Sequence, residues 1–106
     1  MVFDTWSTLA DALKREEWDD AYILSINRSI DFLQSGDLVR EDAAVADYTG
    51  EVIMAEELMP VGVPMTLRQV ARGRWVFAIG LCESDPADFA HAMCEAYVKY
   101  RASGCT

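Results

Sequence analysis

The chain has 106 residues, 52% hydrophobic and 25% charged, and carries a formal net charge of -9. That length suits one globular domain (residues 1–106) burying about 60 to 70% of its unfolded surface, and no segment approaches the ~18 consecutive apolar residues of a membrane span. An acidic chain is repelled by phosphate backbones and anionic lipid, so direct nucleic-acid binding and membrane association are set aside.

The charge is unevenly placed. Residues 1–60 hold 14 acids and four bases, a balance of -10, whereas residues 61–106 hold four acids and five bases, a balance of +1. A first half so negative has a basic protein surface as its natural counterpart. Cys82, Cys94 and Cys105 make an odd count without framework spacing, and the N-terminus lacks a basic stretch followed by an apolar run. Both features point to a reducing, cytoplasmic setting.

In chain order, Phe3 precedes Asp4, a good N-cap, and Trp6, Leu9, Ala10 and Leu13 share one helical face, predicting a first helix to about Glu16. Trp18, Tyr22, Ile26, Ile30 and Leu33 also have helical spacing, but about 160° out of phase with the first set at 100° per residue. One straight helix cannot bury both stripes. The break belongs within Glu16–Asp20, with Asp19 or Asp20 capping a second helix that ends at Ser35-Gly36.

Residues 41–47 read as a short helix or turn and 51–57 as a strand. The alternative within residues 37–60 is a helix lined on one side by Val45, Tyr48, Val52, Ala55 and Met59, which Thr49-Gly50 would interrupt. Pro60, Gly62 and Pro64 mark a loop. From Val63 the odd positions are mostly apolar and the even ones mostly polar, as in a strand with one wet face. Gly73 supplies a hairpin turn, and the chain returns as RWVFAIGL, whose bulky Trp75, Phe77, Ile79 and Leu81 define a buried face. Ser84 or Asp85 then caps a last helix with Pro86 in its first turn, an apolar face of Phe89, Ala92, Met93, Ala96, Tyr97 and Tyr100, and Gly104 at its end.

The fold class expected is α+β: two N-terminal helices, an antiparallel sheet of two or three strands with a hairpin around Gly73, and a C-terminal helix packed on the sheet. A helix in place of the strand over residues 64–73 would make the chain nearly all-α.

Chemistry is sparse. His91 and Cys94 are i, i+3 neighbours that point away from the apolar stripe of the last helix, so they are expected to be partly exposed or to contact something else. Cys82 before that helix and Cys105 after it should lie at opposite ends of roughly 20 to 25 Å, too far apart to converge with them on one ion. No metal or cofactor is expected. A cysteine nucleophile would have only His91 as base, with Asp88 and Glu95 reading as ordinary surface acids and no oxyanion-binding group in view. No glycine-rich phosphate loop or hydrolase elbow occurs. The acid pairs Glu41-Asp42 and Glu56-Glu57 read as solvated faces, and Arg68, Arg72 and Arg74 as neutralising the chain's own acidic half.

Glu16, Glu17, Asp19 and Asp20 beside Trp18 differ, because four carboxylates around one aromatic combine attraction with an anchor. The expectation is a small, non-enzymatic, acidic binding module of inhibitor, immunity, anti-defence or adaptor-chaperone type. These five residues would dock on a basic protein, of which a nucleic-acid-binding protein is one instance. One alternative is a self-associating scaffold, a homodimer using Leu24, Val98 and an open edge strand. The other is a small enzyme built on the His91/Cys94 region.

Overall fold

The computed structural model describes residues 2–36 and 44–103. Its elements are α1 (Trp6–Ala12), α2 (Asp20–Ser35), α3 (Val52–Glu56), β1 (Met65–Ala71), β2 (Arg74–Ile79), β3 (Cys82–Glu83) and α4 (Phe89–Ala102). The strands form one antiparallel sheet in the order β1-β2-β3, with α4 packed on it: an α+β layout.

The first helix starts one residue later than Asp4 suggests. Thr5 is the cap, its hydroxyl accepting from the Thr8 amide while Thr8 reciprocates to the Thr5 amide. The Phe3 amide is meanwhile drawn to Ser29 Oγ on α2, 2.8 Å away. The helix also stops earlier, at Ala12 rather than near Glu16. α2 follows the expected pattern, with the Asp19 carboxylate accepting from the Tyr22 amide at 2.7 Å and Gly36 at φ 79° closing it.

Residues 52–56 form a helix, not the expected strand. Its one fully buried side chain, Ala55, and Leu58 after it enter the core. For the expected turn or helix at 41–47, residues 41–43 lie outside the described residues, and 44–47 are neither helix nor strand.

The hairpin is present, with Gly73 at φ 71° between β1 and β2. β2 ends at Ile79, because Gly80 at φ 60° turns the chain back into β3. Leu81, placed by its alternation on the buried face, is therefore 98% exposed in that turn.

The last helix begins at Phe89, later than Ser84, Asp85 and Pro86 imply. The backbone of 84–87 is already engaged with β2: Ser84 N–H donates to the Phe77 carbonyl and Ser84 Oγ accepts from the Phe77 amide, while Ala87 and Trp75 exchange both of their bonds. Asp88 becomes the cap, without a side-chain bond.

α4 is the centre of the molecule. β2 and β3 cover one side, α1 and α3 others, and nine of its residues are buried. Trp75, Phe77, Ile79, Phe89, Met93 and Tyr97 share the core with Leu9, Leu13, Ile26 and Ile30. Val98, expected exposed, is fully buried, and Cys94, expected either partly exposed or in contact with something other than the sheet, is buried too, because elements other than the sheet enclose that side of the helix. Leu24 is exposed as expected. No helix among the described residues is long and apolar enough to cross a membrane.

Candidate protein-binding site at the first helix junction

The turn between α1 and α2 puts Glu16, Glu17, Asp19 and Asp20 on the surface, all exposed. Trp18 is not a free anchor. It is half-buried, with its indole N–H donating to the Arg15 carbonyl at 2.7 Å and its ring against Tyr22, 5.6 Å between centroids. On its other side it meets the His91 imidazole at 4.6 Å. Arg15 in turn lies over the Tyr22 ring, and the Tyr22 hydroxyl donates to the Ala12 carbonyl, so the junction is tied together by aromatic and backbone contacts.

Leu13, Lys14, Arg15, Glu16 and Trp18, with Ile23 of α2, form one wall of a cleft of about 810 Å³. The other walls come from distant parts of the chain: Asp47, Thr49 and Gly50 of the turn before α3, Arg74 at the start of β2, residues 85–88, and His91 and Glu95 on α4. The 47–50 turn is held by a polar network. Asn27 on α2 donates to Asp47 at 3.1 Å and accepts from Thr49, and the Tyr48 hydroxyl bonds Asp31. Gly50 leaves room for this arrangement, since a Cβ at that position would push the Asp47 carboxylate aside.

Glu95 is the buried charge of the cleft, 3% exposed. One oxygen accepts from the Asp85 amide and from Lys99 Nζ at 3.3 Å, and the other lies 3.8 Å from His91 Nε2. Burial alone would raise its pKa, but His91, the Asp85 N–H and Lys99 outweigh that and hold the carboxyl below its ordinary value. Glu95 is therefore no ordinary surface acid, and the i, i+4 spacing His91, Glu95, Lys99 was the sign available in the sequence.

The dyad considered for an enzyme does not form in this arrangement. His91 is engaged with Trp18 and Glu95, whereas Cys94 donates its S–H to the Tyr48 carbonyl at 2.7 Å. Burial, and then the negative charge of Asp47, push the Cys94 thiol well above its usual pKa, the reverse of nucleophile activation.

Cys82 was placed near the start of the last helix and is instead at its far end, with Sγ 3.5 Å from Ser103 Oγ. The turn at Gly80 brings β3 to where α4 terminates. Cys105 and the pair Glu41-Asp42 lie outside the described residues. Among the described residues, no group of three or more His, Cys, Asp or Glu side chains is placed to hold a metal ion. Of Arg68, Arg72 and Arg74, the last shares the cleft with Glu16 and Asp47 of the acidic half. Arg68 pairs with Glu83 across the sheet at 3.8 Å, and Arg74 donates to the Pro86 carbonyl.

Comparison with protein-family models, curated proteins and solved structures finds no match for this chain.

Proposed function

We propose that the chain is a small, non-enzymatic, acidic binding module that docks on a basic protein surface through Glu16, Glu17, Trp18, Asp19 and Asp20. The observation that carries the reading is the exposure of all four carboxylates in the turn that contributes Glu16 and Trp18 to the wall of a cleft. Exposed charges of one sign draw an opposite surface in from solution, and a concave site with an aromatic wall gives a partner side chain something to bury against. Occupying the basic surface of a nucleic-acid-binding protein, as an inhibitor, immunity or anti-defence factor does, is one use of this design. An adaptor or chaperone role is another.

The reading is tested by using the chain as bait against basic proteins at about 0.1 M and about 1 M salt, where the screening lengths are ~10 and ~3 Å. Wild type should retain a partner at low salt and release it at high salt. The variant with Glu16, Glu17 and Asp20 changed to Lys should retain nothing at either. Retention by that variant as strong as by wild type would remove the acidic junction from the account.

A further inference from the structure

We propose that β1 is the contact for a second copy of this chain, the two strands pairing antiparallel about Leu67. β1 is an edge of the sheet, and which of its backbone groups are free follows from the hydrogen bonds of β2. Trp75 and Ala87 exchange both bonds, so the odd residues of β2 point towards β3. Gly80 N–H donates to the Pro64 carbonyl, so the even residues point towards β1, where Ala78 faces Thr66 and Val76 faces Arg68. The N–H and C=O groups of Met65, Leu67 and Gln69 therefore face outward, with no strand paired to them among the described residues.

The side chains of these three residues lie on the α4 side, since Leu67 is opposite Phe77 and Met65 opposite Ile79. α4 covers β2 and β3 but makes no contact with β1, leaving Met65 42% and Leu67 40% exposed. Natural edges are blunted by charged side chains, bulges, prolines or inward-pointing charges, and of these β1 has Arg68 on its other face and a bulge at its far end, but no inward-pointing charge and no proline within the strand. The shift of register between Gln69 and Ala71 limits the usable edge to residues 65–69.

Two features favour a second copy over a foreign strand. The first is self-complementarity. With Leu67 facing Leu67 of the second copy, Met65 faces Gln69 and Arg68 faces Thr66, so no like charges stand opposite and three residue pairs exchange six backbone bonds. The second is charge. Two copies at -9 each repel, but β1 belongs to the half of the chain whose balance is +1, and Arg68 is already paired with Glu83. The pairing brings the two copies together through the half of the chain that carries little net charge.

Sedimentation equilibrium of the full chain up to about 1 mM should show a monomer–dimer equilibrium that strengthens with salt, because screening weakens the repulsion between copies. That dependence is opposite in sign to the one expected for a basic partner, so the two proposals fail separately. Leu67→Lys and Leu67→Glu should each be monomeric where wild type is dimeric, and an equimolar mixture should recover the dimer mass. Hydrogen exchange gives a check without substitution: the Leu67 and Gln69 amides should gain protection as concentration rises, while those of Thr66 and Arg68 are protected throughout. A wild type monomeric at every concentration would overturn the proposal and leave the edge to a different extended segment. Dimeric single variants, or a mixture that stays monomeric, would overturn the Leu67-centred pairing.

Discussion

The Trp18 indole and the His91 imidazole lie 4.6 Å apart between centroids, with planes tilted by 38°. This contact joins the α1–α2 junction to the first turn of α4 and makes one cleft from segments more than 70 residues apart in sequence. Trp18 therefore serves the fold as well as any partner. Trp18→Ala removes a half-buried aromatic and its contacts with both His91 and Tyr22, and should lower stability by about 2 kcal/mol, read as a shift of the urea midpoint at unchanged slope. In binding, the same variant should act mainly through faster dissociation with little salt dependence.

The acidic junction separates into charges that serve only the surface and one that also caps a helix. Asp19 accepts from the Tyr22 amide, so Asp19→Lys should cost about 1 kcal/mol and Asp19→Asn close to nothing, measured by thermal unfolding. Reversing Glu16, Glu17 and Asp20 together should cost less than about 1 kcal/mol, most of it from Asp20 in the first turn of α2. In stopped-flow mixing with a basic partner, the triple reversal should slow association at least tenfold at low salt, while Asp19→Asn should have a smaller effect. Equal association rates for the triple variant and wild type would contradict docking at this junction.

Stability should fall at both ends of the pH scale for identifiable reasons. The folded Glu95 carboxyl titrates below its ordinary value, so its contribution is present above about pH 4.3 and is lost as pH falls through the lower folded pKa. Cys94 is shifted the other way. Its protonated thiol is favoured in the fold, so its contribution is full below about pH 8.5 and declines as pH rises beyond that. Tyr48 is raised by burial and by its bond to Asp31, and Tyr97 by burial, and they add a further decline above about pH 10. Urea midpoints across pH 3 to 11 check both limbs. Glu95→Gln should flatten the acid limb, and Cys94→Ser, which keeps a donor for the Tyr48 carbonyl, should remove the part of the alkaline limb between about pH 8.5 and 10.

The hairpin and the helix on it were legible from the alternation in RWVFAIGL and the helical spacing after Pro86, but burial was not: every residue of β1 is exposed, and Val76 and Ala78 between the bulky positions of β2 are buried as well. Residues whose surroundings are set by other segments were also not legible. Cys94 and Val98 lie off the apolar stripe and are buried because α1 and α3 also pack on α4, which a helical wheel drawn against a single surface does not contain. The start of α4 was misplaced for a related reason: Ser84 and Asp85 are good capping residues, but the sheet takes the backbone of 84–87 first. Exposure of the four junction acids was readable from composition. The cleft beside them was not, since it needs Asp47, Arg74 and Glu95 to arrive from three separate elements.

The two cysteines among the described residues should differ sharply in reactivity. Cys82 is partly exposed at the end of the sheet, its sulfur 3.5 Å from the Ser103 hydroxyl, so a thiol reagent should reach it in the native protein. Cys94 has no surface, donates its S–H to the Tyr48 carbonyl, and is held protonated by burial and by Asp47, so it lacks both access and thiolate. Its labelling requires opening of the contact between α4 and the 47–50 turn. Peptide mass spectrometry after timed alkylation at pH 8 should find Cys82 modified early and Cys94 modified only at the rate of that opening. Gly50→Ala, by driving the Asp47 carboxylate from its place beside Asn27, should loosen the turn and speed Cys94 labelling while leaving Cys82 unchanged. If Cys94 reacts as fast as Cys82 in the native wild type, the clamp between Tyr48 and α4 does not hold in solution.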